Sequence, residues 1–226
     1  MATNLFSILN EGKLGLLSQQ LAIEVTGNNI ANVQTPGYTR QTVNLENNSP
    51  RQTGLGQVGT GVRVKGITRN FDRFLFSQTI SEATPMGNFS VRQEGYTRLG
   101  LLFNETIGRS INTEMNNLFS SFEDLAANPA GLPERTTIQG NARSLVTGFN
   151  TLGNAIFQEQ QNIDLMVEDT VSEINSMLSG IAKLNRTIFQ NENIGIASTA
   201  NDLRDERDRL VKGLAEMIDV TVIDEQ

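Results

Sequence analysis

Residues 28–41 read NNIANVQTPGYTRQ, and this stretch decides how the first part of the chain folds. Asn tolerates left-handed backbone angles and hydrogen-bonds to its own backbone, so the Asn-rich run suits the end of a helix. Pro36 fixes its own φ angle and disfavours the helical region at Thr35, while Gly37 allows a positive φ. The stretch therefore predicts a helix that stops and a type I or type II turn that redirects the chain.

A long helix is predicted upstream of this turn, over residues 3–32. Its first apolar row, spaced by seven residues, consists of Leu9, Leu16, Ile23 and Ile30. Its second row, on the opposite side, consists of Leu14, Leu17, Leu21 and Val25. A helix that is apolar on two faces needs more than one neighbour to bury it. Two interpretations stay open, namely a core helix of this domain and a helix whose apolar face is buried only on assembly.

The composition excludes several classes of protein. The 226 residues include no Cys, His or Trp, and the net charge is −7. Without Cys or His there is no disulfide, no thiolate metal site and no histidine general base, so we predict no enzyme, no cofactor and no metal site. Dispersed acidic charge argues against nucleic acid as a partner, and no apolar run is long enough for membrane insertion. The N-terminus lacks the pattern of a cleaved signal peptide, so composition alone favours the cytoplasm.

Residues 41–70 are predicted to be an extended linker or ribbon, with a short β segment near residues 53–70. Alternating apolar and polar residues over 62–68 indicate a strand, and the Gly-rich run at 54–59 suits a flexible bend. That run matches GxGxxG by letter, but no buried strand precedes it and no helix follows, so a dinucleotide site is not predicted. The five basic residues of this region could complement an acidic neighbouring subunit or be solvated loop charge: Arg40, Arg51, Arg63, Lys65 and Arg69.

The rest of the chain is predicted to be mainly α, as an elongated bundle of long, coiled-coil-like helices. A helix over 71–107 is expected to be kinked or interrupted at Pro85 and Gly87. Another ends at Asn128, and a longer one follows from Pro133. Its seam has two heptad rows. They consist of Val146, Val167, Ile174, Ile181 and Ile188, and of Phe149, Ile156, Ile163, Met177 and Leu184. About 55 helical residues at about 1.5 Å rise predict a rod of roughly 80 Å.

The C-terminal part is predicted to contain a loop at 191–198, a helix over 199–218 and a terminal strand near 219–224. Acidic and basic residues alternate in this helix at contact spacing, which predicts a salt-bridged, solvated face rather than a metal site. The acids are Asp202, Asp205, Glu206 and Asp208, and the bases are Arg204, Arg207 and Arg209. A single strand is not stable alone, so we expect the sequence to be a fragment, truncated where a hairpin partner follows.

Three domains are predicted from these patterns. Residues 1–40 form a terminal assembly helix and turn, residues 41–70 a linker or ribbon, and residues 71–226 an elongated helical bundle that is truncated at its C-terminal end. The stretch over 28–41 resembles the ANxxTPGYxR motif of bacterial flagellar rod, hook and hook-associated proteins. The resemblance implies that the row Leu9, Leu16, Ile23 and Ile30 packs between subunits. It also implies that a turn connects the terminal and helical domains, formed by Asn32, Thr35, Pro36, Gly37, Tyr38 and Arg40.

Two further segments narrow the resemblance. Residues 115–138 read MNNLFSSFEDLAANPAGLPERTTI and residues 201–222 read NDLRDERDRLVKGLAEMIDVTV. Both are similar to the helical domain of the hook-associated protein 1 family, the N-terminal portion of which this sequence resembles. The alternatives are a flagellar rod or hook protein and, from another class, a secreted effector or enzyme on a helical scaffold.

That resemblance implies a structural subunit of the flagellum at the hook–filament junction, which forms a ring at the distal end of the hook and serves motility. The implied partners are copies of itself, the hook protein, the second junction protein that leads to the filament, and the flagellar export machinery. The implied location is extracellular, on the flagellum, after type III export without a cleaved signal peptide. This implication replaces the cytoplasmic location that composition alone favours.

Overall fold

Helices dominate the computed structural model, which describes residues 5–103, 110–192 and 200–223. The helices in these ranges are α1 (Leu5–Ala31), α2 (Arg73–Leu102), α3 (Ile111–Ala127), α4 (Leu132–Glu192) and α5 (Asn201–Ala215). The strands are β1 (Gln41–Asn47), β2 (Arg51–Thr53), β3 (Gly56–Val58) and β4 (Val62–Arg69). The predicted mainly α fold is confirmed. The loop predicted at 191–198 falls almost wholly outside the described residues.

The chain divides into two units. Residues 1–85 and 174–226 form the first, and residues 86–173 form the second. The domain boundaries predicted at residues 40 and 70 stay a prediction. Within the described ranges, none of the helices combines the length and the apolar character that a membrane span requires.

The extended region predicted between α1 and α2 is a β-hairpin in the first unit. Strand β1 pairs antiparallel with β4, from Gln41 opposite Arg69 to Asn47 opposite Val62, with one irregularity after Asn44. The short strands β2 and β3 pair with each other beyond it. The alternation of apolar and polar residues over 62–68 predicted β4. The sequence indicated β1 only as extended chain, because QTVNLEN has just two apolar residues.

Helix α1 packs on this hairpin with one face and exposes the other. It contacts both β1 and β4. Ser18 is buried on α1 and donates its hydroxyl hydrogen to the Leu14 carbonyl oxygen at 2.8 Å. The heptad row on the other side is exposed by 60%, 74%, 71% and 69% at Leu9, Leu16, Ile23 and Ile30, respectively. The face on the hairpin is packed within the chain, and burial of the exposed row on assembly stays a prediction.

The core of the first unit lies between α2 and the end of α5. Ile80, Ala83 and Ala215 are buried together, and Val220 packs against them. Thr84 donates its hydroxyl hydrogen to the Ala215 carbonyl oxygen at 3.0 Å. The strand predicted near 219–224 is wrong for the described residues 219–223, which have no strand. Val220 packs against this core, whereas Val222 and Ile223 are 44% and 82% exposed. The described residues 219–223 have no paired neighbour, which a strand requires.

Helix α2 runs through Pro85 without a break, so the predicted interruption is wrong, and a kink at this position stays a prediction. A proline removes only one backbone N–H from the helical ladder. The flanking turns supply the remaining hydrogen bonds, and Pro85 itself is exposed.

Helix α4 has 61 residues, and its seam is buried only near its C-terminal end. In the first unit, α4 packs on α5 through small residues: a Cβ added at Gly180 would lie 3.2 Å from Leu210 Cδ1. Ile188 is buried there, whereas Ile174 and Ile181 are half-buried. The earlier seam residues Val146, Phe149, Ile156, Ile163 and Val167 are 41–59% exposed.

In the second unit, α3 contacts α4, the helix that follows it in the chain. Ser110 caps α3 by accepting the Thr113 N–H at 3.0 Å. Asn141 of α4 donates a side-chain N–H to the Asn117 carbonyl oxygen at 3.0 Å. The predicted helix end at Asn128 and the predicted helix start near Pro133 are both confirmed.

Ile188 of α4 is buried and Leu16 of α1 is exposed. Shortening the two side chains to alanine should therefore lower the free energy of unfolding by different amounts. Ile188→Ala should lower the free energy of unfolding by about 2–5 kcal/mol, because it removes buried methyl groups and leaves a cavity. Leu16→Ala should change it by less than about 0.5 kcal/mol, because the side chain is exposed. Denaturant unfolding of both variants measures this. Equal losses would show that the exposed row of α1 is buried in the isolated chain.

Candidate functional site

The turn after α1 is a tight, hydrogen-bonded structure. The Tyr38 N–H is bonded to the Thr35 carbonyl oxygen at 3.2 Å, and Gly37 has a φ of +84°. A positive φ at the third residue of a four-residue turn identifies type II and favours glycine. Asn32 accepts the Thr35 hydroxyl hydrogen at 3.1 Å, which fixes the turn to the helix end. The turn predicted from Thr-Pro-Gly is therefore confirmed and narrowed to one type.

The side chain of Asn29 joins the end of α1 to the start of β1. Its Nδ2 donates to the Gln41 carbonyl oxygen at 2.8 Å, and its Oδ1 accepts the Gln41 N–H at 2.9 Å. The same Oδ1 accepts the Tyr38 hydroxyl hydrogen at 2.8 Å. The Asn29 carboxamide thus both donates to and accepts from the backbone of Gln41, as a residue of a neighbouring strand would. The sequence placed Asn29 at the helix end but did not show this long-range pairing.

Acidic residues of α5 hold the far side of the turn. Asp205 Oδ2 accepts the Thr39 N–H at 2.8 Å, and Asp202 Oδ1 accepts the Gln41 side-chain N–H at 2.7 Å. Asp205 and Asp208 are only 6% and 7% exposed. The predicted solvated face is therefore wrong for these two residues, because α5 packs against the turn and the hairpin. It holds for Glu206 and Arg209, whose paired side chains are about half exposed.

Arg69 of β4 forms ion pairs with two acidic residues of α5. Its Nη1 lies 2.8 Å from Asp205 Oδ1 and 2.7 Å from Asp208 Oδ2. Its guanidinium carbon lies 4.1 Å from the ring centroid of Phe71. The Arg69 side chain is 9% exposed, so its charge is compensated almost entirely within the chain. Neither interpretation of the basic region, complementing a neighbouring subunit or solvated loop charge, describes Arg69, because its acidic partners lie on its own α5.

A groove of about 250 Å³ lies between the turn and α5. Tyr38 is one of its lining residues, and burial and then the charges of Asp202 and Asp205 raise the pKa of its hydroxyl. The hydroxyl donates to Asn29 Oδ1 at 2.8 Å. In the part of the chain that the structure describes, no acidic cluster is arranged to hold a metal ion.

The structure places the sequence-predicted residues in two separate groups. The turn residues Thr35, Pro36, Gly37 and Tyr38 lie together with Asn32 against α5. Arg40 has an exposed side chain, and its carbonyl oxygen accepts the Asn70 N–H at 2.8 Å. The apolar row of α1 does not join this site.

Comparison with known proteins identifies the family. Residues 96–226 match the family model of the flagellar hook-associated protein FlgK helical domain. The chain belongs to this family. Residues 13–39, which include most of α1 and the turn, match the family of flagella basal body rod proteins. The resemblance inferred from the turn motif and the helical segments is confirmed.

Individual relatives carry the same family name. Flagellar hook-associated protein 1 of Bacillus subtilis (strain 168) is 31% identical over 227 residues, which cover 97% of this chain and 44% of that protein. The protein of that name from Escherichia coli (strain K12) is 30% identical over 216 residues, covering 96% of this chain and 39% of that protein. The one from Salmonella typhimurium is 29% identical with the same coverage. The chain therefore spans about two fifths of the length of these FlgK relatives.

The positive φ of Gly37 predicts that adding a side chain there lowers the stability of the chain. Gly37→Ala should lower the free energy of unfolding by about 1–2 kcal/mol, because the left-handed conformation is strained for alanine. A Cβ there would also lie 3.3 Å from Arg209 Cβ, which tightens the contact with α5.

Gly213 of α5 provides the matched control. A Cβ there meets Met177 Cε at 3.5 Å, an ordinary contact. Gly213→Ala should therefore stabilise the chain, by up to about 1 kcal/mol of helix propensity. Denaturant unfolding compares the two variants. A Gly37→Ala variant as stable as the parent would contradict the left-handed turn.

The ion pair that joins α4 to α5 predicts a pH dependence. Glu192 accepts two hydrogen bonds of 2.7 Å from Arg204, and these lower its pKa from the ordinary value of 4.5, against the opposing effect of burial. A carboxylate with a lowered folded-state pKa stabilises the fold above its unfolded pKa, and this stabilisation is lost as pH falls through the folded pKa.

Glu192→Gln should therefore lower stability at pH 7 by up to about 1 kcal/mol, and the difference from the parent should shrink below about pH 4.5. Unfolding curves at pH 7, 5 and 3 measure this. Glu82→Gln, at an exposed position of α2, is the control. A difference that stays constant down to pH 3 would contradict the assigned pKa direction.

Proposed function

We propose that this chain is part of a structural subunit of the bacterial flagellum that acts at the hook–filament junction. The observation that carries the proposal is the similarity along 96–97% of the chain to proteins named flagellar hook-associated protein 1. The rod-protein match covers only residues 13–39, whereas the FlgK helical-domain match covers residues 96–226. The junction role is therefore better supported than the alternative of a rod or hook protein. A structural flagellar family also favours a non-enzyme over a secreted enzyme.

Helix α1 supplies the proposed contact between subunits. Its row of Leu9, Leu16, Ile23 and Ile30 is 60–74% exposed while the opposite face is packed on the hairpin. Fully burying one such side chain contributes about 1.5–3 kcal/mol. Burying four in each of many identical contacts offsets much of the entropic cost of association, which is about 4–15 kcal/mol.

The proposed mechanism is mechanical. Copies of the subunit form a ring at the distal end of the hook, with α1 packed between neighbours. The hook protein binds on one side, and the second junction protein, which leads to the filament, binds on the other. The subunit reaches this site outside the cell through the flagellar export machinery, without a cleaved signal peptide. The type II turn connects α1 to the helical part, so it transmits load between them.

A charge placed in the row should prevent assembly without unfolding the chain. In cells that make the whole protein with Leu16→Glu, we expect normal hooks, no attached filaments and filament subunits in the medium, because the carboxylate cannot be buried between subunits. Electron microscopy and an assay of the medium measure this.

Asn10→Glu is the matched control, since it adds the same charge at an exposed polar position of α1 outside the row. Cells with this variant should carry normal filaments. Normal filaments on the Leu16→Glu cells would overturn the assignment of the row to the subunit interface.

A further inference from the structure

Asp205 makes two kinds of contact at the same time. Its Oδ2 accepts the backbone N–H of Thr39 in the turn region, at 2.8 Å. Its Oδ1 pairs with Arg69 of the hairpin, also at 2.8 Å. The Asp205 side chain is 7% exposed, so water competes little for either oxygen. Both contacts join residues more than 130 positions apart in sequence.

The hairpin is held on α5 by contacts that do not involve the turn. Arg69 also pairs with Asp208, at 2.7 Å. Asn201 donates a side-chain N–H to the Ile67 carbonyl oxygen at 3.0 Å. Strand β4 therefore keeps three attachments to α5, from Asp205, Asp208 and Asn201, even where the Thr39 hydrogen bond is absent. The bond to Thr39 adds little to the anchoring of β4 and instead fixes the segment that follows the turn.

The segment that follows the turn is hydrogen-bonded to the end of α1. Thr39 lies between Tyr38 and Gln41, and both of these residues are hydrogen-bonded to Asn29 on the last turns of the helix. The residues on either side of Thr39 are therefore linked to α1 by three hydrogen bonds of 2.8–2.9 Å. The other link between this segment and α5, from Gln41 to Asp202, is exposed to solvent and weaker for that reason.

We propose that Asp205 is a positioning residue: by accepting the Thr39 N–H, it fixes the direction in which α1 leaves the hairpin relative to α5. The inference deepens the proposed function and rests on it only for the role of α1 in assembly. Helix α5 is then the element that orients the apolar row of α1. A bare hydrogen-bonded turn fixes only its own four residues, and the bond from Thr39 to Asp205 adds a link to α5 that the turn alone lacks.

One substitution separates the two contacts of Asp205. In Asp205→Asn, one carboxylate oxygen becomes an NH₂ donor. The remaining oxygen should face the buried guanidinium of Arg69, because a charge-assisted hydrogen bond is the stronger one. The NH₂ then faces the Thr39 N–H, and two donors cannot bond. The variant therefore breaks the contact to the turn and keeps the contact to the hairpin.

Asp208→Asn is the matched control. It removes the same charge from the same face of α5 and weakens the same partner, Arg69, but Asp208 has no contact with the turn among the described residues. A general loss of stability around Arg69 should appear in both variants. A loss of orientation should appear only in Asp205→Asn.

Spin labels measure the orientation directly. The chain has no cysteine, so Lys13→Cys on α1 and Lys212→Cys on α5 give one defined pair of labels at exposed positions. In the parent and in Asp208→Asn, we expect one narrow distance distribution. In Asp205→Asn, we expect a distribution at least twice as wide. All three proteins carry Gly213→Ala, which we expect to stabilise α5.

Equal distributions in all three proteins would overturn the proposal, because packing on the hairpin would then be sufficient to orient α1. Equal broadening in both variants would also overturn it, because the ion pairs and not the Thr39 bond would set the direction. The distances need no flagellum. Filament attachment in cells that carry each variant tests the proposed function separately: a widened distribution with normal filaments would contradict the assembly role of α1 and leave the positioning role intact.

Discussion

The first unit depends on a buried ion cluster formed by Arg69, Asp205 and Asp208. Their side chains are 7–9% exposed, and the two carboxylates flank one guanidinium. A buried charge that loses its partner costs about 3–5 kcal/mol, so the cluster strongly favours the arrangement in which β4 lies against α5. Once that contact is made, the hairpin supports α1, and α5 reaches the apolar core around Ala215.

This cluster lies next to the place where two segments that match different family models meet. The rod-protein match includes the turn and ends at Thr39, whereas the FlgK helical-domain match contains α5. The hydrogen bond from Thr39 to Asp205 therefore joins one family segment to the other. In the account proposed here, the turn contributes the short, rigid exit from α1, and the helical domain contributes the surface that fixes the direction of that exit.

Local patterns predicted the elements that local physics determines. Helix α1, the turn at Pro36 and Gly37, and the 61-residue helix α4 follow from periodicity, caps and glycine conformation. The acidic side of the site did not follow, because interleaved charges on α5 look solvated until the hairpin, more than 130 residues earlier, packs on them. The strand predicted at 219–224 is wrong for a related reason. Alternating apolar residues suggested pairing with another strand, but Val220 packs against the buried core instead.

Amide hydrogen exchange of the isolated chain, resolved residue by residue, is the most direct test of whether α5 holds the turn. We expect the N–H groups of Thr39 and Gln41 to exchange slowly, at rates similar to those of the paired residues of β4, because their acceptors are the buried carboxylate of Asp205 and the carboxamide of Asn29. Exchange of both groups at the rate of an unstructured peptide, with β4 still protected, would contradict it.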